Sequence, residues 1–200
     1  MHNNINGQQI SESGLLDEEK KYLLKMARTT IQSKLGIDSG NEDLAPTSKT
    51  MLEKRGCFVT IHLHGNLRGC IGTIEPVTPL IDGIRENAIN AAFKDPRFPP
   101  LNAEELADAD IEISVLTIPE VLEYSGTDDL LEKLEPKIHG VILSSDWHRS
   151  TFLPQVWDQL PDTETFLEHL CVKGGMGQDC WKNEETQVMV YKAEYFGEKD

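Results

Sequence analysis

Apolar residues recur along the first third of the chain at Leu16, Leu23, Leu24, Ala27, Ile31 and Leu35, a helical stripe. Asp17 is its candidate cap, Glu18 and Glu19 fall in the favourable first turn, and Gly36 ends it. A polar stretch from Asp38 to Thr50 then reads as a loop. Period-two alternation follows in CFVTIHLH (57–64), Gly65-Asn66 can turn, and LRGCIGT (67–73) runs back, which predicts a β-hairpin. Thr78-Pro79 starts a second helix whose buried face is Leu80, Ile81, Ile84, Ala88, Ala91 and Ala92. KDPRFPPL (94–101) is a rigid connector, because three prolines exclude both helix and ladder. Asn102 and Glu105 have the spacing of a capping box.

The second half alternates similarly. IEISVLTIP (111–119) is a strand, Thr127 can cap a brief helix through Leu134, and GVILSS (140–145) is a strand that turns near Asp146-Trp147 into STFLPQV (150–156). Asp162 caps a helix with Phe166, Leu167, Leu170 and Cys171 inward, ended by Gly174-Gly175. TQVMVYKAEYF (186–196) closes the chain as one alternating strand. Strands adjacent in sequence look like hairpins, so the expected class is α+β: a mainly antiparallel sheet with flanking helices. The expected organisation is a loose polar tail over residues 1–14 and a single domain over 15–196. Its larger lobe would span 15–118 plus 161–196, and its smaller lobe about 119–160.

Composition narrows the function classes. The 200 residues carry 34 Asp+Glu against 19 Lys+Arg, a net charge of -15, which repels phosphate backbones and disfavours nucleic-acid or anionic-membrane partners. No apolar run is long enough to cross a bilayer, and the N-terminus lacks a secretion-signal pattern, so a cytoplasmic location is expected. Cys57, Cys70, Cys171 and Cys180 form no CxxC pair and are expected to be reduced thiols, with Cys171 simply filling the core of its helix.

The chemistry concentrates in NLRGCIGT (66–73), where an arginine and a thiol are each followed by glycine. Register decides which face these side chains take. With a two-residue Gly65-Asn66 turn, Cys70 lies opposite Ile61 and Arg68 opposite Leu63 on the apolar face; with His64 added to the turn, Cys70 lies opposite Thr60 and Arg68 opposite His62 on a polar one. Burying an unpaired guanidinium is costly, and absent side chains at Gly69 and Gly72 let a ligand or another backbone approach. Both arguments favour the polar register. A working thiol needs a nearby cation or imidazole. The candidate catalytic set is therefore Cys70, His62 and Glu112, with Arg68, Gly69, Gly72, Glu75, Asp95, Arg97, Arg149 and Gln155 as substrate-binding candidates. Cys57, His62, His64 and Cys70 share one hairpin, yet Cys57 has the wrong strand parity to join the histidines around zinc, and no metal or cofactor is expected.

Five stretches, LRGCIGTIEP (67–76), AAFKDPRFPPL (91–101), IEISVLTIPE (111–120), TFLPQV (151–156) and FLEHLCVKGGM (166–176), together resemble the AMMECR-type domain family. The resemblance runs from about Leu15 to Phe196, and Arg68, Cys70, Asp95, Arg97 and Glu112 match its motifs. It implies two subdomains with a cleft between them, and association with Memo-type and radical-SAM proteins in the AmmeMemoRadiSam group. Two function classes are carried forward. In one, the LRGCIG stretch binds a small polar or anionic substrate, with Cys70 as thiolate nucleophile; in the other, the chain is a non-enzymatic adaptor docking its partners.

Overall fold

The computed structural model describes residues 13–38 and 48–199, together with the backbone of Asn4–Ile5 and Gln8–Gln9, which form the short antiparallel pair β1 and β2. The rest of the expected tail and most of the loop after Asp38 lie outside the described residues. The chain divides into two compact units, Met1–Thr117 with Glu194–Asp200, and Ile118–Ala193.

The first unit starts with α1 (Asp17–Lys34). Leu16, not Asp17, is its N-cap: the Glu19 carboxylate reaches back and accepts the Leu16 N–H at 2.8 Å, starting the helix one residue earlier. A short α2 (Lys49–Leu52) leads into β3 (Cys57–Leu63) and β4 (Asn66–Thr73), followed by α3 (Leu80–Phe93), α4 (Ala103–Asp108) and β5 (Ala109–Leu116). The antiparallel sheet has the order β10-β5-β3-β4, with β10 (Ala193–Gly197) arriving from the chain's end and β4 as one edge. Val59, Ile61, Ile111 and Ile113 are fully buried on its inner face with Ile84 and Ala88 of α3 and Leu23, Ala27 and Ile31 of α1.

The β3–β4 hairpin corrects the expected turn. His64 (φ 52°) and Gly65 (φ 80°) form a two-residue turn with both residues left-handed, as a primed hairpin turn requires, and Asn66 already pairs with Leu63. That turn alone would set Arg68 opposite Ile61. Instead the ladder shifts between Ile61 and His62, leaving Arg68 as a bulge residue; Gly69 then pairs with Ile61 and Cys70 with Thr60. The bulge therefore moves Cys70 onto the outer, polar face by a route the two simple registers did not contain.

Both hallmark glycines make room for protein. A Cβ on Gly69 would lie 2.2 Å from the Ala91 carbonyl oxygen of α3, and a Cβ on Gly72 would lie 2.2 Å from the ring of its cross-strand partner Phe58.

The second unit holds a sheet of order β6-β9-β7-β8, built from β6 (Glu120–Val121), β7 (Gly140–Ser145), β8 (His148–Phe152) and β9 (Gln187–Tyr191), with α5 (Thr127–Lys133) and α6 (Thr163–Lys173). Trp157 stacks on Phe166 with ring centroids 3.6 Å apart, and its indole donates to the His139 carbonyl at 2.7 Å. Residues 161–193 thus belong to this unit, not to the larger lobe, because α6 supplies its core and β9 pairs with β6 and β7. The expected single closing strand is two strands in two sheets, parted at Lys192. A second correction concerns the thiols: Cys171 and Cys180 are joined in a disulfide across nine positions, tying α6 to the turn that carries Trp181. Among the described residues no helix is long and apolar enough to cross a membrane.

The packing at Gly69 predicts a strong asymmetry between glycines. Gly69→Ala should lower unfolding stability by about 2 kcal/mol or more in urea titration, because the obstacle is backbone, which cannot rotate aside. Gly177→Ala, whose added methyl meets nothing within 4 Å, should stay within about 0.5 kcal/mol of wild type. Equal effects would contradict the close α3–β4 approach.

Candidate functional site

An edge strand presents unpaired backbone groups, and here the connector after α3 takes them up. The Cys70 N–H donates to Asp95 Oδ2 at 2.9 Å, and Arg97 donates to the Cys70 carbonyl at 3.2 Å. Asp95 and Arg97 also hold each other. The Arg97 backbone N–H and Nε donate to Oδ1 at 3.1 and 2.9 Å, and a terminal nitrogen donates to Oδ2 at 2.7 Å. The aspartate side chain is buried while the arginine keeps half its surface in solvent. Hydrogen bonding from Arg97 holds the Asp95 carboxyl far below the ordinary carboxylate range, with the backbone donors of Cys70 and Arg97 adding to it. A side-chain pair thus stands where a neighbouring strand would otherwise be.

Arg68 is fixed separately. Its Nε and a terminal nitrogen grip the Glu105 carboxylate at 2.8 and 3.0 Å, and the same terminal nitrogen donates to the Pro99 carbonyl at 2.9 Å. Glu105 in turn accepts the Asn102 N–H at 3.1 Å while the Asn102 side chain accepts the Glu105 N–H, so the expected capping box exists and serves as the anchor of Arg68. The Glu105 carboxyl is held below its ordinary value, chiefly by Arg68. Phe98 faces both guanidinium groups, 5.7 Å from Arg68 and 5.5 Å from Arg97. Arg68, expected as a ligand contact, is thus a buried tie between the bulge and α4.

The thiols now separate. Cys57 is fully buried under Asn87, whose amide donates to its carbonyl and lies 3.4 Å from Sγ; burial pushes the thiol up to about 11. Cys171 and Cys180 are bonded to each other, which leaves Cys70 as the partly exposed free thiol. Its Sγ lies 3.3 Å from the Thr60 hydroxyl. Thr60 pairs with Cys70 on β4 and with Glu112 on β5, so thiol, hydroxyl and carboxylate form one row across three strands, about 5 Å from strand to strand. His62 stands two places along β3 on the same face. Tyr195 of β10 belongs to this neighbourhood: burial, then the Glu112 charge, raises its hydroxyl to about 12.

The structure therefore brings Cys70, His62 and Glu112 onto one face and sets Asp95 and Arg97 against the Cys70 backbone. Glu75 is exposed in the bend after β4, and Arg149 and Gln155 are exposed in the second unit. Among the described residues no cluster of metal-ligating side chains occurs. Sequence reasoning missed Thr60 and Glu105 as site residues. The first carries no signal beyond its parity, and the second was accounted for by its cap alone.

A two-unit α+β protein with an arginine–cysteine edge strand clamped by an Asp-Pro-Arg connector is the class that fold and site define. Residues 24–196 match the AMMECR1 family model, and the chain belongs to that family. A protein of Methanothermobacter thermautotrophicus is 42% identical over 185 residues, covering 90% of this chain and 95% of the relative. Protein MJ0810 of Methanocaldococcus jannaschii is 38% identical, covering 90% of each. The crystal structure of the uncharacterized protein PH0010 from Pyrococcus horikoshii superposes with a TM-score of 0.72 at 36% identity, over 92% of this chain and 93% of that one.

The Asp95 clamp has a signature in acid. Its folded pKa is depressed below the ordinary 3.8, so its stabilisation is complete above that value and is lost as pH falls below it. Wild type should lose stability below about pH 4 more steeply than Asp95→Asn, by at most ~1.4 kcal/mol per pH unit, in urea midpoints compared from pH 5 to 2. Parallel curves would contradict the clamp.

Proposed function

We propose that the outer face of the first sheet around Cys70 is the working surface of this protein, binding a small polar or anionic molecule with Cys70 as its reacting group. The observation that carries the reading is the row Cys70–Thr60–Glu112 beside the half-exposed Arg97 guanidinium. The Thr60 hydroxyl donates to Cys70 Sγ at 3.3 Å and so holds the sulfur in place on the open face, with the Glu112 carboxylate next in the row. Arg97 is fixed by Asp95 on one side and open on the other. A planar guanidinium so placed suits a carboxylate or phosphate. His62 on the same face supplies an imidazole as the candidate proton-transfer group. Arg68 and Glu105 act one step behind, holding the bulge that gives Cys70 its face.

Iodoacetamide labelling followed by mass spectrometry tests this. The folded protein should take one label, at Cys70, with Cys57 labelled only after denaturation. Thr60→Val should slow the Cys70 reaction about fivefold, the equivalent of one hydrogen bond to sulfur. Inorganic phosphate or acetate should protect wild type and should protect Arg97→Gln less. Labelling that ignores Thr60→Val, together with no protection by either anion, would overturn the proposal.

A further inference from the structure

The second unit holds a covalent tie that the Cys70 site does not use, the disulfide between Cys171 and Cys180. Cys171 is fully buried on α6, whereas Cys180 is only half-buried, in the short 3-10 turn Cys180–Lys182. That turn lies in the segment 177–186, which leads from α6 to β9. The hydrogen bonds of the segment run largely within it. The Cys180 N–H donates to the Gly177 carbonyl at 2.9 Å and the Asn183 N–H to the Cys180 carbonyl at 3.1 Å. The Thr186 hydroxyl also donates to the Cys180 carbonyl, at 2.7 Å. Outward, Gln178 reaches Glu168 at 2.8 Å on the exposed surface, and the Thr186 carbonyl accepts the Tyr124 hydroxyl at a longer 3.3 Å. The segment is thus folded on itself, and the disulfide is its firm tie to α6.

Trp181 is the apolar anchor of the segment, 2% exposed within the core of the second unit. Its buried indole N–H has no acceptor among the described residues, whereas the Trp157 indole donates to the His139 carbonyl at 2.7 Å. A buried donor without a partner costs its full desolvation, so opening the segment returns that N–H to water and offsets part of the burial that is lost. The disulfide opposes such opening, because a crosslink spanning nine positions removes much of the freedom the open segment would gain. The position of the segment also matters beyond itself. Residues 181–188 form one wall of a cavity of about 730 Å3 whose other wall is residues 121–127.

We propose that the Cys171–Cys180 disulfide is a redox latch, opened by a dithiol, that governs how often segment 177–186 leaves the core of the second unit. The half-exposed Cys180 sulfur is the point of attack. A thiolate of the dithiol bonds to Cys180 Sγ, the bond between the two cysteines breaks, and Cys171 leaves as a thiolate that takes up a proton. The second thiolate of the dithiol then attacks the sulfur of its own molecule joined to Cys180. A cyclic disulfide closes, and Cys180 is released and protonated in turn. The protein gains two electrons and two protons, and the dithiol is oxidised. With the crosslink gone the segment opens on the order of a hundredfold more often, the loop-entropy contribution of so short a bridge. The stack of Trp157 on Phe166, which the bond does not join, keeps the rest of the unit folded.

Hydrogen exchange at the indoles of a 15N-labelled sample of the whole chain tests this, because Trp147 is almost wholly exposed, Trp157 is internally bonded, and Trp181 sits on the latched segment. Dithiothreitol added to the folded protein should make Cys180 reactive in subsequent iodoacetamide labelling. It should also speed exchange of the Trp181 indole on the order of a hundredfold while leaving Trp157 unchanged. Reoxidation should restore the slow rate, and the Cys171→Ala/Cys180→Ala double variant should show the fast rate with or without dithiothreitol. Any of three results in the wild-type chain would overturn the proposal: a bond that resists dithiothreitol until the chain is denatured, a Trp181 rate indifferent to reduction, or an equal acceleration at Trp157, which would make the bond a staple of the whole unit.

Discussion

The first unit turns on one hydrogen-bonded pair, in which the Asp95 carboxylate takes the Cys70 N–H and Arg97 returns a hydrogen bond to the Cys70 carbonyl. A sheet must end somewhere, and an edge left bare invites pairing with another chain. Here the edge is closed by two side chains from a connector whose prolines leave it little freedom. The carboxylate can be buried only because the guanidinium and two backbone donors neutralise it in place. The same contacts fix the backbone of the single residue in the strand that carries a partly exposed free thiol.

The bulge at Arg68 gives that fixation a direction. One inserted residue reverses the parity of everything after it, turning Gly69 toward α3 and Cys70 toward Thr60 and Glu112. Arg68, the inserted residue, is tied to Glu105 and Pro99, so the shift cannot relax by sliding along β3. The LRGCIG stretch thus reads as a mechanical device: arginine to lock the bulge, glycine to admit the helix, cysteine to face outward, glycine to accept the Phe58 ring. Membership of the AMMECR1 family fits this emphasis on a shared frame, since the archaeal relatives align along nearly their whole length.

Much of this was legible in the residues. Period-two alternation located β3 and β5, the Asn102–Glu105 spacing predicted its capping box, and the three prolines marked residues 94–101 as a stiff connector. The β3–β5 register, which no local pattern encodes, is what puts His62 and Glu112 on one face. What escaped was everything decided by tertiary context. A bulge is invisible to periodicity, because one residue of slip looks the same as a different turn. The strand at 186–196 alternates without a break, so nothing marks the point where it leaves one sheet for another. The Cys171–Cys180 bond joins a helix end to a turn, a meeting that depends on the folding of the Gly-rich segment between them. The glycines were read only to the point of a close approach by a ligand or another backbone: missing bulk shows that something comes near, and only coordinates show that it is the Ala91 backbone at Gly69 and the Phe58 ring at Gly72.

Hydrogen exchange at one amide tests the central claim most directly. On an uncapped edge strand the outward N–H of Cys70 would exchange at a rate near that of exposed loop amides. Held by a buried, fully ionised Asp95, it should exchange orders of magnitude more slowly, at rates near those of the inner-strand amides of Val59 and Ile61. Fast exchange at Cys70 in an otherwise protected β4 would show that the clamp does not hold in solution.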